Sequence, residues 1–233
     1  MFQPFPVKIV LSLHGVRVRT GVSEHASDHF LCPGSKPLVR VEKKHPCMFA
    51  FLYRAVLLGT VALPVFKKNT VDESVRAARA FRDSNLIWLE EPTIPDDVAG
   101  HTRIVREGGV PIATGENLHT LHEFTQMISA GAVTFPEPDV TNCGGITIFM
   151  KVAHLAEAYN LPVTSHGAHD LTVHLLAALP NRSYLEVHGF GLDRYIERPI
   201  VIRDGVARAP DTPGHGVAFD WKALEKVRAG GMP

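Results

Sequence analysis

The sequence predicts an α/β fold, a partial (β/α) TIM-type barrel preceded by an irregular N-terminal region. Three observations predict it. Apolar strand-like segments alternate with amphipathic helical segments about five times between Thr70 and His188, the signature of a parallel α/β architecture. Acidic or imidazole residues stand where successive strand-like segments end: Glu90, Glu116, Asp139, His166 and Glu186. Their spacings of 26, 23, 27 and 20 residues each match the length of one βα unit. In such a barrel the C-terminal strand ends converge on one mouth, so side chains distant in sequence meet there.

The elements follow in order. Thr70 and Glu73 form a capping box, in which each side chain satisfies amides left free at a helix start. Val71, Val75, Ala78 and Phe81 continue at helical spacing. Leu86 to Glu90 is a short apolar strand. Asp96 and Asp97 open the next helix, which ends near Gly108 and Gly109, and Val110 to Thr114 is a strand. Thr120 and Glu123 make a second capping box, followed by Leu121, Phe124 and Ile128 on one face. Ala132 to Phe135 is a strand, and Gly144-Gly145 precede a helix with Ile146, Phe149, Met150 and Ala153 on one side. Leu161 to Thr164, a helix through Leu171, Leu175 and Ala178, and Tyr184 to Val187 complete the series. Beyond His188, Pro199 to Arg203, the turn Asp204-Gly205 and Val206 to Ala209 read as a β-hairpin. Trp221 to Val227 reads as a short terminal helix.

Residues 1–69 lack this order, showing only two strand-like stretches, Val7 to Leu13 and Pro37 to Glu42. A full eight-stranded barrel needs about three more βα units than the regular part provides, which 69 residues hardly hold. Two regions are therefore expected: an irregular 1–69 and a barrel part over 70–233.

Composition narrows the function. Formal charge is zero, so no nucleic-acid or anionic-membrane partner is expected. Cys32, Cys47 and Cys143 are an odd, sparse set without a CxxC pair, which fits a reducing cytoplasmic compartment better than a disulfide scaffold. No basic segment precedes the apolar stretch near the N-terminus, so no signal peptide is expected. The apolar run from Cys47 to Phe66 approaches membrane-spanning length but holds Arg54 near its centre and Pro64 near its end. A central arginine costs about 2.5–3.5 kcal/mol on insertion, which argues against a span.

The strand-end residues suggest chemistry. Glu90 and Glu116 are candidate ligands for a hard divalent cation such as Mg2+, which favours carboxylate oxygen; taken singly, each reads more readily as a surface carboxylate near a strand end. Together they repel unless a metal or a cationic substrate relieves them. Asp139 and His166, on successive strand ends, fall within hydrogen-bond range. There the aspartate fixes the imidazole tautomer and raises its basicity, making His166 a candidate general base; the alternative is a histidine satisfied at the core edge. Glu186 is a candidate to orient the base or hydrogen-bond a substrate carboxylate. Asn117 and His119 in the loop after Glu116, and His169 after His166, are candidate substrate contacts. Cys143 lacks an evident partner base and reads as packing. No GxGxxG or Walker pattern accompanies the glycine pair.

At these residues the chain resembles the mandelate racemase-like group of the enolase superfamily. The resemblance rests on WLEEP (88–92), ATGEN (113–117), PEPDVTNCGGIT (136–147), TSHGAHDL (164–171) and YLEVHG (184–189), in order and in register. It spans about residues 70–220. It implies that Glu90 and Glu116 are magnesium ligands, that Asp139–His166 is the acid/base dyad and that Glu186 hydrogen-bonds the substrate. It further implies magnesium-dependent abstraction of the α-proton of a carboxylate through an enediolate. Racemases, cycloisomerases and dehydratases of this group share that step. Dehydration of a sugar acid or related hydroxy acid is the activity expected first, by a homo-oligomeric enzyme. The chain departs from the group in three places. It has no acid between Leu63 and Thr70, where the resemblance implies a third metal-ligand aspartate, and Lys67 and Lys68 stand there instead. The group's Lys-x-Lys strand has no convincing counterpart, and its N-terminal capping domain is missing or reduced to fragments. An inactive fragment serving as a structural or oligomerising module is therefore the alternative.

Overall fold

Helix caps and glycine turns in the sequence set the element boundaries seen in the computed structural model. It describes residues 69–84, 86–187, 192–203 and 205–228, and four short strands nearer the N-terminus. Those four strands are β1 (Val7–Val10), β2 (Val18–Arg19), β3 (Arg40–Val41) and β4 (Ala62–Pro64). The rest of the expected irregular region, including most of the apolar run from Cys47 to Phe66, lies outside the described residues. Among the described residues no helix is long and apolar enough to cross a membrane.

The chain divides into two units. The first comprises Ser12–Thr114 and Gln126–Phe135. Its first described helix, α1 (Val71–Ala80), opens on the expected capping box. Oγ1 of Thr70 accepts the Glu73 N–H, and the Glu73 carboxylate accepts the Thr70 N–H at 2.8 Å. Strand β5 (Trp88–Glu90) follows, then α2 (Val98–Gly108), which Asp97 caps by accepting the Gly100 N–H at 2.8 Å. Gly109 ends α2 at φ 76°, the left-handed conformation that favours glycine. Strand β6 (Ile112–Thr114) and the start of β7 (Phe135–Pro136) complete the sheet, in the order β4-β5-β6-β7. β4, β5 and β6 run parallel, with Leu63 opposite Leu89 and Leu89 opposite Ile112. β2 and β3 pair antiparallel apart from this sheet.

The core of this unit joins one face of each helix to the sheet: Val75, Ala78 and Phe81 from α1 and its end, Ile104 from α2, and Leu86, Leu89, Val110 and Ile112. Gly108 permits the close helix pairing, since a Cβ there would sit 2.7 Å from the Cβ of Ala78. Strands buried on both sides read as continuous apolar runs, and β5 and β6 are buried at every position.

The second unit comprises Met1–Leu11, Gly115–Thr125 and Pro136–Pro233. Helix α3 (Leu121–Ser129) begins here on the second capping box, where Glu123 accepts the Thr120 N–H at 3.0 Å. Helix α4 (Ile146–Ala158) starts after Gly145 at φ 86° and buries Phe149, Val152, Ala153 and Ala156. Strand β8 (Val163–Ser165), helix α5 (His169–Ala177) and strand β9 (Arg182–Glu186) follow. The Asn181 amide donates to the carbonyls of Ala153 and Leu161, tying the β9 approach to the end of α4. The expected hairpin forms as β10 (Ile202–Arg203) and β11 (Val206–Ala207). The expected terminal helix forms as α6 (Trp221–Glu225), capped by Asp220.

The sheet of this unit runs β10-β11-β1-β9-β8. β1, from the start of the chain, pairs parallel with β9, Val10 opposite Glu186, and antiparallel with β11. The sequence shows Val7–Leu13 as strand-like without indicating this partner. β1 covers an edge of β9 that would otherwise present unpaired backbone groups.

Candidate active site

Four of the expected residues meet in the second unit, each placed by the end of a strand. Gly115 lets the chain turn sharply after β6. Its φ is 145°, and a Cβ there would lie 2.9 Å from the Glu137 backbone and 2.8 Å from the Phe124 ring. Glu116 follows directly. Asp139 and His166 pair as an isolated parallel bridge just past β7 and β8, and Glu186 is the last residue of β9.

The His166 imidazole lies among three carboxylates. Its Nδ1 bonds Oδ2 of Asp139 at 2.8 Å. An ionised carboxylate only accepts, so Nδ1 carries the hydrogen. On the other side of the ring, Nε2 lies 3.0 Å from Oε2 of Glu116 and 3.8 Å from Oε2 of Glu186. Burial alone would lower the His166 pKa; the bond to Asp139, the approach of Glu116 and the charges of Glu186 and Glu116 outweigh it and raise it to about 10. Burial would raise Asp139, but its bonds from His166 and Thr141 outweigh that and hold it below the usual carboxylate range. The imidazolium thus offsets the repulsion that the sequence leaves to a metal or a cationic substrate.

Backbone conformation keeps the cluster tight. Gly167 has φ 58°, and a Cβ there would lie 2.6 Å from Oδ2 of Asp139. Its N–H donates to Oε2 of Glu186 at 3.3 Å. Ala168, at φ 40°, holds a left-handed conformation that non-glycine residues rarely adopt. The Thr172 hydroxyl, bonded to the carbonyls of Gly167 and Ala168, secures this turn at the start of α5.

The remaining candidates stand differently. Asn117 donates its amide to Oε1 of Glu116 at 2.8 Å, at the rim of the cluster. His119 is exposed, and its backbone N–H bonds Glu123. His169 pairs with Oδ2 of Asp170 at 3.3 Å. Neither His119 nor His169 is bonded to the cluster. Glu90 belongs to the first unit, where it is buried and accepts the Trp88 indole N–H at 3.3 Å. Cys143 is buried, its thiol pushed up to about 11 by burial and the Asp139 charge, which leaves it a packing residue.

Two contributors carry no role in the sequence reading. Thr141 donates both its N–H, at 2.7 Å, and its hydroxyl, at 2.6 Å, to Oδ1 of Asp139. Asn142 donates its amide to the Glu116 carbonyl at 2.7 Å. The available signal is local: an aspartate followed two residues later by threonine is an Asx-turn pattern.

Carboxylate oxygen is the right donor chemistry for magnesium. Among the described residues, however, no group of three or more His, Cys, Asp or Glu side chains is arranged to hold a metal ion. In the second unit the carboxylates surround the imidazole instead.

Comparison with known proteins adds the following. Residues 60–223 match the model of the enolase C-terminal domain-like family. The chain is 57% identical over 163 residues to a 3,6-anhydro-alpha-L-galactonate cycloisomerase of Streptomyces coelicolor, a match covering 70% of this chain and 45% of that protein. It is 34% identical over 152 residues to an L-talarate/galactarate dehydratase of Salmonella typhimurium, covering 65% of this chain and 38% of the other. Among solved structures, a racemase from Streptomyces coelicolor with bound magnesium superposes with a TM-score of 0.69 at 49% identity, over 79% of this chain and 53% of that one. An L-talarate dehydratase from Polaromonas complexed with Mg and L-glucarate gives 0.68 at 33% identity, over 78% and 52%. The fold is thus part of a TIM-type barrel, and the chain spans about half the length of these relatives, or less.

Proposed function

We propose that this chain, which belongs to the enolase C-terminal domain-like family, takes part in magnesium-dependent abstraction of the α-proton of a sugar acid, followed by elimination of the oxygen on the β-carbon. The observation that carries this reading is the His166 imidazole, held at Nδ1 by Asp139 with Nε2 facing Glu116 and Glu186. A ring fixed on one side and presented on the other is the geometry of a general base. His166 is the proposed base in its neutral form, reached once the charge of Glu116 beside Nε2 is offset. Asp139 orients it, and Glu186 meets the substrate, whose carboxylate makes the α-proton acidic through the enediolate. Glu116 and Glu90 are the proposed magnesium ligands, with Asn117, His119 and His169 as proposed substrate contacts. When bound, magnesium supplies positive charge that stabilises the anion developing on the substrate carboxylate and offsets Glu116.

The names of the cycloisomerase and of the dehydratases fit one reaction. In an open-chain sugar acid the β-oxygen leaves as water, which is dehydration. In a 3,6-anhydro acid the same oxygen belongs to a ring ether, so its departure opens the ring without loss of water, which is isomerisation. Dehydration remains the proposed activity, and ring opening is the same elimination on an anhydro substrate. The division into an irregular 1–69 and a barrel part over 70–233 belongs to this proposal, as does assembly into a homo-oligomer.

The test is exchange of the α-proton of L-talarate, galactarate and 3,6-anhydro-alpha-L-galactonate in deuterated water with millimolar magnesium. Exchange by the full chain that is abolished in His166→Asn is the expected result. Exchange unaffected by that substitution removes His166 from the reaction. No exchange with any of the acids favours the inactive-module alternative.

A further inference from the structure

We propose that Thr141 is a positioning residue of this site, fixing one oxygen of Asp139 so that the other is committed to His166; the inference deepens the function proposed above and rests on it for its kinetic part. An aspartate carboxylate turns readily about its last torsion, which has broad, two-fold preferences. Left to itself, Asp139 can exchange its two oxygens at Nδ1 and carry the ring with it. Thr141 prevents this. Its N–H and its hydroxyl both end on Oδ1, at 2.7 and 2.6 Å, while Oδ2 receives His166 at 2.8 Å. Hydrogen bonds to an ionised acceptor are the short, strong class, and these distances belong to it. With Oδ2 held by His166 as well, both oxygens of the carboxylate are bonded and its last torsion is set.

The other side of Asp139 is shaped to match. Gly167 faces Oδ2 closely enough that a Cβ would lie 2.6 Å from it, so a residue without a side chain there leaves Oδ2 its place against His166. Asp139 itself is buried, whereas Thr141 is exposed. The threonine methyl therefore contributes little packing, and its hydroxyl can be removed without opening a cavity. The backbone N–H bond of the Asx turn survives any side-chain change at 141, so the hydroxyl alone separates a loosely held carboxylate from a fixed one.

The experiment compares Thr141→Val, which keeps the shape and loses the hydroxyl, with Thr141→Ser, which keeps the hydroxyl and loses the methyl. Both are made in the full chain, with thermal unfolding as a check that each is folded. The first readout is the downfield Nδ1–H proton of His166 by NMR in histidine-labelled protein. Thr141→Ser is expected to preserve the resonance, and Thr141→Val to shift it upfield and speed its exchange with water. The second readout is α-proton exchange of L-talarate or galactarate. There Thr141→Val is expected to lower kcat about tenfold, the size of one hydrogen bond to a charged group, with KM little changed and Thr141→Ser restoring the rate. A packing role predicts the reverse order, with valine harmless and serine damaging, and that order overturns the proposal. So does an Nδ1–H resonance that is the same in all three proteins. If the unsubstituted chain exchanges no α-proton, the proposed function falls, and the Nδ1–H comparison still decides the role of Thr141.

Discussion

His166 has three carboxylate oxygens within 3.8 Å, so its charge is the site's most sensitive variable. Its folded-state pKa is raised to about 10, against about 6.5 when unfolded. The sign follows from linkage. The folded state holds this proton more tightly, so the stabilisation is complete below about 6.5 and is lost as pH rises through about 10. Glu116→Gln removes one cause of the rise, and NMR titration of His166 in that variant should give a pKa clearly below the parent's. An unchanged value means Asp139 and Glu186 alone hold the charge. Gly167→Ala adds a Cβ 2.6 Å from Oδ2 of Asp139 at a backbone φ of 58°. Strain of this kind costs about 1–3 kcal/mol, so the denaturant midpoint should fall and the Nδ1–H resonance should move with it. The Asp139–His166 pair was legible because successive strand ends, one βα unit apart in sequence, become neighbours in a parallel sheet. Thr141 was not, because its role depends on which carboxylate oxygen it reaches, and sequence spacing does not encode that.

Helix starts were the most legible elements. Thr70 with Glu73, Asp97, and Thr120 with Glu123 all cap as their order in the chain implies, because capping is decided within four residues. Thr70→Ala should cost about 1 kcal/mol, read as a lower urea midpoint with an unchanged m-value, while Thr70→Ser should be nearly neutral. Strand limits were less legible, because a strand ends where its partner does. The expected strand from Ala132 to Phe135 is realised as Phe135–Pro136, and the pairing of β1 with β9 spans most of the chain. Helix α2 holds a buried titratable group that the sequence does not flag. His101 is fully buried, with Nδ1 against the Asp97 carbonyl at 3.0 Å. Burial lowers its pKa, outweighing the Asp97 carbonyl and charge. A base with a lowered folded pKa contributes full stability above its unfolded value, about 6.5, and loses it as pH falls below that. Thermal stability should therefore drop between neutral and mildly acidic pH, and His101→Gln should flatten that drop. A drop of the same size in the variant assigns the acid sensitivity elsewhere.

At the scale of the whole molecule, what stayed hidden was completeness. The five strand-end residues identify the family, and four of them converge in the second unit. The first 69 residues contribute no recognisable βα unit to the sequence pattern, and no acid stands between Leu63 and Thr70. A cation site is a collective property: its affinity depends on how many oxygens reach one point, and no single motif reports that number. Calorimetry measures it directly. The full chain titrated with magnesium chloride should release heat at millimolar concentrations or below, and Glu116→Gln should weaken the binding at least tenfold, about 1.4 kcal/mol, because a hard cation has few carboxylates to choose from here. Glu90→Gln, measured separately, assigns that residue in the same way. Binding also feeds back on stability: at a magnesium concentration about 100 times Kd the native state gains about 2.7 kcal/mol. The melting temperature should rise with magnesium in the parent and stay flat in any variant that has lost the ion. No heat and no thermal shift in the parent would mean that the imidazolium of His166 takes the cation's place permanently, and the chain would then be a member of its family without its chemistry.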